Sequence, residues 1–403
     1  MVNSISTVRV RTARQTAFFT SFAVCALAMI AVLTTVAPSK ADANLPSIVI
    51  DRQSGAVLSQ NRAFDRWYPA SLTKLMTVYV TLRAIEAGEL ASGSPVTMSK
   101  LAAAQPPSRM GLKPGTQLRV DMALRILVVK SANDVAIALA ESVAGSVPAF
   151  VERMNAEARR LGLGDTNFVN PNGLHAEDQF TSARDIALLA RRILVEFPAF
   201  ADTFSVPAIR FGQEVDYSYN LLLERFSGAD GMKTGFVCAS GYNMVASATR
   251  NGRQIIAVVF GAFSQTDRAV DAARLLLAGF EQSGGTPVEA LTRQGGPIRA
   301  SSQRGTVCSK KAYETRYDPA GGDARINSPL LEPRKVARQP LEVRAGGVDA
   351  PPSEAALTVK LVPRGRIPVP SPKPVRVNVD GEPLSWSEPL RGSAPLPVPR
   401  PMR

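Results

Sequence analysis

The dipeptide Asn251-Gly252 stands between two apolar runs, 242–250 and 253–262, and leaves the backbone there little choice. Both central positions of a two-residue hairpin turn need positive φ, which Asn and Gly tolerate, so the two runs must pair antiparallel. A further strand pair, 47–51 and 56–58 around Gly55, lies at the opposite end of the same region. Between them the spacing predicts helices over 72–87, 121–129, 135–144, 147–161 and 182–195, and another follows the hairpin at 267–282. Strands at both ends of residues 44–284, with helices between, predict an α+β fold. Its antiparallel sheet is completed by both ends of the domain and flanked by helices, with a helical lobe inserted.

Composition narrows the chemistry. The 403 residues include one histidine, His175, and three cysteines. That leaves no multi-histidine metal site, almost no room for a Ser-His-Asp triad, and no zinc-ribbon or iron–sulfur framework. No metal and no cofactor are expected, and reactivity must rest on Ser, Lys, Asp, Glu or Arg. A formal net charge of +13 favours an anionic partner.

Residues 1–43 have the order of an export signal. Arg9, Arg11 and Arg14 precede an uncharged apolar run, 17–36, and small residues follow at Ser39, Ala41 and Ala43. The run is long enough to span a bilayer, so an uncleaved anchor is the alternative. Either way the remainder is expected outside the cytoplasm, in the periplasm or its equivalent, where nucleic acid is not a partner. After Gly284 the composition shifts, with 19 of the chain's 30 prolines and an excess of Arg over acids. Residues 285–403 are expected to be a Pro-rich basic tail, mostly disordered, with strand-like alternation at 357–362 and 375–379. Its charge suggests contact with a membrane or another anionic envelope surface. Cys25 lies in the apolar run, so export leaves Cys238 and Cys308 as the candidate disulfide of an oxidising compartment.

Three short motifs carry the candidate chemistry. Ser71-Leu72-Thr73-Lys74 opens the first long helix, where a serine hydroxyl lies near unpaired backbone N–H groups. Lys74 is one turn on, on the same face, and within reach of Ser71 Oγ. Lysine acts as a base only when its neutral form is populated, which burial or a second cation achieves. Lys233 would be that cation. A helix-capping serine beside a solvated lysine would produce the same tetrapeptide. Ser131-Ala132-Asn133 falls at a break between helices in an otherwise apolar segment, so its polar pair must find partners locally, and helix capping would also serve. Lys233-Thr234-Gly235 sets a cation, a hydroxyl and a side-chain-free backbone at a strand start. That combination suits gripping a carboxylate while a peptide lies along the strand.

In this order S-x-x-K, S-x-N and K-T-G form the signature of penicillin-binding proteins and serine β-lactamases. The agreement extends to Tyr68-Pro69-Ala70, Leu112-Lys113-Pro114-Gly115, Asn170-Pro171-Asn172-Gly173-Leu174 and Asp230-Gly231-Met232. Over about residues 45–280 the chain resembles the exported D-alanyl-D-alanine carboxypeptidases, the low-molecular-mass penicillin-binding proteins. The resemblance implies a β-lactamase/transpeptidase-like fold. It also implies a serine acyl-enzyme that removes the terminal D-Ala of peptidoglycan stem pentapeptides, with β-lactam antibiotics as covalent inhibitors. Ser71 would be the nucleophile, Lys74 its base, and Ser131 the relay of a proton to the leaving group. Asn133 would hold the substrate amide, and Lys233 and Thr234 the terminal carboxylate. Gly235 leads to Phe236, whose backbone N–H would form the oxyanion hole with that of Ser71. Arg268 matches an arginine that family members use for the substrate carboxylate, although a surface arginine near a helix start would look the same. Phe236 stands where relatives often carry histidine, and a second β-domain and C-terminal anchoring helix are not recognisable.

Within the same fold, a D,D-endopeptidase that cuts cross-links is the alternative. A β-lactamase is disfavoured by S-A-N in place of S-D-N and by the lack of a matching glutamate. An inactive wall-binding scaffold is disfavoured by the intact Ser71–Lys74 pair.

Overall fold

The computed structural model describes residues 45–293, 295–316, 328–333 and 339–346, and two short strands at Arg376–Val377 and Pro383–Leu384. The expected signal at 1–43 and the alternation at 357–362 lie outside the described residues.

The chain begins with β1 (Ser47–Asp51) and β2 (Val57–Asn61), then a 3-10 turn, Ala70–Thr73, that runs into helix α1 (Lys74–Glu86). A small pair, β3 (Pro95–Thr97) and β4 (Gln117–Arg119), precedes α2 (Val120–Val129), α3 (Asn133–Ala144), α4 (Val147–Arg160) and α5 (Ala183–Glu196). Next come the hairpin β5 (Ala208–Phe211) and β6 (Glu214–Tyr217), the long strands β7 (Ala229–Val237), β8 (Gly241–Arg250) and β9 (Arg253–Ala262), and α6 (Gln265–Phe280). Ser146, Ser182 and Ser264 cap α4, α5 and α6, each accepting the N–H of the residue three further on.

The main sheet has the order β2-β1-β9-β8-β7, antiparallel throughout. β1 pairs with β9 from Ser47↔Val259 to Asp51↔Ile255, so both ends of the domain do meet in one sheet. The Asn-Gly turn closes β8 on β9 at Arg250↔Arg253. Alternation along each strand sorts the core into two layers. Ile48, Ile50, Val245, Ile256, Val258 and Phe260 face the helical lobe, whereas Val49, Met244, Ala246, Ile255, Ala257 and Val259 pack beneath α6. The lobe is built around α3, whose first eight residues are all buried, which an outer helix could not sustain. β7 is the free edge of the sheet, and it lies against the turn that carries Ser71.

The domain boundary expected at Gly284 needs correcting. Val57 N–H donates to Thr286 O and Val288 N–H to Gly55 O, and Val288 is buried in the main core. Farther on, Cys308 is disulfide-bonded to Cys238, Leu331 enters the layer beneath α6, and Leu341–Val343 pairs parallel with β5. These described parts of the expected tail pack as one with residues 45–284. Their apolar anchors enter one at a time rather than in periodic runs, so no helix or strand signature announces them.

Candidate active site

Ala70 enters the 3-10 turn at φ +49°, in the left-handed region that non-glycine residues seldom occupy. The turn is held from three sides. Asn243 Nδ2 donates to the carbonyls of Tyr68 at 2.9 Å and Pro69 at 3.2 Å, tying it to the sheet. Gly235 lies so close that a Cβ there would sit 3.0 Å from Ser71 N. Gly173, at φ +85°, passes the other side, where a Cβ would meet Ala70 O at 1.9 Å. A Cβ at Gly173 would clash outright and one at Gly235 would crowd the backbone of the turn, which explains their place beside the nucleophile candidate.

Lys74 follows at the start of α1 and is completely buried. Its Nζ lies 3.0 Å from Ser71 Oγ, 2.8 Å from Asn133 Oδ1 and 2.5 Å from the Asn172 carbonyl oxygen. Burial, first, and then the charge of Lys233 depress its pKa well below that of a free lysine, with Asp134 opposing them. A neutral amine has two N–H groups and one lone pair. Asn133 and Asn172 can take the two hydrogens, and the lone pair then faces Ser71. The alternative of a helix-capping serine beside a solvated lysine fails on the burial and on these three contacts.

Ser131 occupies the break between α2 and α3 at φ +60°. Lys233, in β7 and 3% exposed, donates to Ser131 Oγ and to Thr234 O, each at 2.9 Å. Burial and the neighbouring Arg268 bring the Lys233 pKa down to about 7. Arg268, in α6, is also 3% exposed and lowered to about 10 by burial. One of its terminal nitrogens donates to Tyr219 O at 2.8 Å, and its buried Nε has no hydrogen-bond partner among the described residues. Lys233 and Arg268 thus form a buried pair of cationic groups beside Lys74, and such a concentration favours an anionic ligand.

Ser71, Lys74, Ser131, Asn133, Lys233, Thr234, Gly235 and Arg268 therefore come together from four separate segments. Phe236 turns its ring to Tyr242, centroid to centroid 4.2 Å, beside buried Val307. Cys238 and Cys308 are bonded beyond the end of β7.

Several contributors had no role assigned from sequence. The Asn172 carbonyl holds Lys74, and Gln179 fixes its loop by accepting from Val169 N and Asn170 N. Asp134, fully buried, accepts the N–H groups of Met110 and Gly111, while Asn133 binds the carbonyl of Pro106 and the backbone of Ser108. Segment 106–111 is thereby fastened across one side of the site. Asn243 had a legible signal, an amide in an otherwise apolar strand that needs buried partners. Asn172 had none, since a backbone carbonyl acts without regard to its side chain.

A family model described as D-alanyl-D-alanine carboxypeptidase matches residues 33–264. The chain is 38% identical over 238 residues to D-alanyl-D-alanine carboxypeptidase DacA of Haemophilus influenzae, covering 58% of this chain and 61% of that protein. The crystal structure of penicillin binding protein 5 from Haemophilus influenzae superposes with a TM-score of 0.57 at 36% identity, over 61% of this chain and 73% of that one. Penicillin-binding protein D2 from Listeria monocytogenes, in its cefotaxime-bound form, gives a TM-score of 0.54 at 28% identity, over 59% of this chain and 97% of that one. The chain spans about three fifths of the length of the first curated relatives it matches.

Proposed function

The chain belongs to the D-alanyl-D-alanine carboxypeptidase family, and from that premise we propose that it removes the terminal D-Ala of peptidoglycan stem pentapeptides through an acyl-enzyme on Ser71. The observation that carries the reading is the buried Lys74, lowered in pKa, with Nζ 3.0 Å from Ser71 Oγ and two acceptors for its hydrogens. Ser71 Oγ attacks the penultimate D-Ala carbonyl carbon, and its proton passes to Lys74 Nζ. The backbone N–H groups of Ser71 and Phe236 receive the oxyanion, a contribution of about 3 kcal/mol per donor in comparable acyl-transfer sites. As the C–N bond breaks, Ser131 gives a proton to the leaving D-Ala nitrogen, and the proton taken from Ser71 replaces it. Water then adds to the ester carbonyl, and Ser71 Oγ departs as a hydroxyl.

Asn133 holds the substrate amide, and Thr234, Lys233 and Arg268 take the terminal carboxylate. Arg268 supports this role through its unpartnered buried Nε, a donor that a carboxylate would satisfy. A β-lactam carries an acyl carbonyl and a carboxylate in comparable positions, so it acylates Ser71 and is a covalent inhibitor. Export places this activity outside the cytoplasm, in keeping with the Cys238–Cys308 bond, and the basic segments past Gly284 contact anionic envelope surfaces.

Incubation of the protein with a defined pentapeptide and with cross-linked muropeptides, resolved by mass, tests the reading. Loss of one D-Ala from the pentapeptide is expected. Cleavage of the cross-link alone would overturn it in favour of the endopeptidase.

A further inference from the structure

Beyond β7 the described chain crosses back over the end of the cleft. Cys238, two residues past Phe236, is bonded to Cys308, and Gln303 N–H donates to Ala239 O at 2.8 Å. The same segment reaches the opposite rim. Arg66 donates to Ile298 O at 2.9 Å, and an Arg299 terminal nitrogen lies 3.7 Å from a Glu177 carboxylate oxygen. Glu177 lies two residues past His175, whose ring meets that of Tyr68 edge-on at 4.7 Å. Residues 298–308 thus close the gap between the end of β7 and the loop beside the Ser71 turn.

Arg304 sits in this bridge, next to Gln303, exposed, and near enough to His175 for its charge to be felt there. Its guanidinium takes no ion-pair partner among the described residues. Glu177, the nearby acid, is occupied by Arg299.

A peptide on the free edge of β7 must follow the strand. With its terminal carboxylate at Lys233 and Thr234 and its scissile carbonyl at Phe236, the remainder runs on past Val237. At about 3.4 Å per residue, the third residue of a stem peptide comes level with residues 237–238, under the bridge. In peptidoglycan that residue is a diamino acid, either lysine, ending in an amine, or a diaminodicarboxylic acid, ending in an amine and a carboxylate.

We propose that Arg304 is a specificity-determining residue that binds the side-chain carboxylate of a diaminodicarboxylic acid at the third position of the stem peptide. The Cys238–Cys308 bond acts as its positioning device. The proposal rests on the carboxypeptidase reading, because that reading sets the direction of the substrate. A guanidinium suits the role, since it stays charged at every relevant pH and grips a carboxylate with two parallel bonds. The D-glutamate carboxylate at position two offers the same chemistry, so the test must vary the third residue alone.

Two pentapeptides that differ only in whether the side-chain carboxylate of diaminopimelate is free or amidated are compared by kcat/KM for D-Ala release. The native protein is expected to prefer the free acid about tenfold, the worth of one charge-assisted contact at ~1.4 kcal/mol. In Arg304→Ala the ratio falls to within about twofold of unity, and in Arg304→Glu it inverts. Cys308→Ser lowers the ratio in the same direction. Thermal melting of each variant reports folding, and a ratio is unaffected by the fraction of folded protein. An unchanged ratio in the Arg304 variants overturns the proposal, as does equal native turnover of the two peptides. Absence of D-Ala release from either peptide by the native protein would instead strike the carboxypeptidase reading itself.

Discussion

Lys233 Nζ donates to Ser131 Oγ across 2.9 Å, although 102 residues separate the two in the chain. That contact joins the free edge of the sheet to the break between α2 and α3, and closes the cleft between sheet and lobe. It also gives Ser131 a donor of its own, which in the proposed mechanism frees the Ser131 hydroxyl hydrogen for the leaving nitrogen.

Lys233 sets a limit on activity in alkali. Its pKa is lowered to about 7 by burial and by Arg268, and the carboxylate binding proposed for it needs it charged. The kcat/KM profile is expected to fall as pH rises through about 7, while its rising limb reports loss of the proton on Lys74. Arg268→Ala removes one of the two causes of the Lys233 shift. The falling limb of that variant should move to higher pH, which a pH–rate profile will show.

Holding this cation costs stability. A lysine with a folded pKa near 7 and an ordinary value of 10.5 takes up a proton on unfolding. Stability from this group therefore rises with pH between those two values, and the cost is greatest below the lower one. Lys233→Met should raise Tm at pH 7 by about 2–4 °C, the shift that ~1 kcal/mol gives a domain of this size, while abolishing turnover. Calorimetry at pH 7 and above pH 10 should find the gain shrinking in alkali.

Asn243 positions the turn that carries Ser71 without touching Ser71 itself. Its amide holds the Tyr68 and Pro69 carbonyls and accepts from Gly261 N–H. Asn243→Ala leaves these buried groups unpaired, at a cost of about 1–3 kcal/mol each. The acylation rate by a fluorescent penicillin should drop by about 100-fold, the usual effect of a misplaced reacting group, with the Lys74 burial retained. Stopped-flow labelling and thermal melting together check this.

The disulfide closes a loop of 70 residues. In the chain-entropy account a loop of that length stabilises by about 4 kcal/mol. Cys308→Ser is expected to lower Tm in non-reducing buffer, and the native protein should fall to the same value in reductant. Paired melts of the two proteins, with and without reductant, measure it.

The parts of this molecule legible in its sequence are those written as periodic runs or turn chemistry. The Asn251-Gly252 turn, the helices and the paired ends of the sheet fall where alternation and spacing put them. Ser71 and Lys74 were legible because three residues on a helical turn fix their separation, whatever the rest of the chain does. Lys233 was expected near Lys74 because a lysine base needs a second cation, but the contact of Lys74 with Asn133 was not expected, since tertiary packing decides it. Segments past Gly284 were misjudged because Val288, Val307, Leu331 and Val343 each fill a separate gap, leaving a composition that looks like spacer. The short strands β3 to β6 escaped for a related reason. With three or four residues each, they are too brief to show a period.

The central claim is that Ser71 carries the acyl group, and intact-mass spectrometry of the protein after incubation with benzylpenicillin tests it most directly. The native protein should gain one penicilloyl mass, located by digestion on the peptide that contains Ser71. Ser71→Ala should gain nothing and release no D-Ala from a pentapeptide. A penicilloyl adduct that persists in Ser71→Ala, or that maps to any other residue of the native protein, would contradict the account.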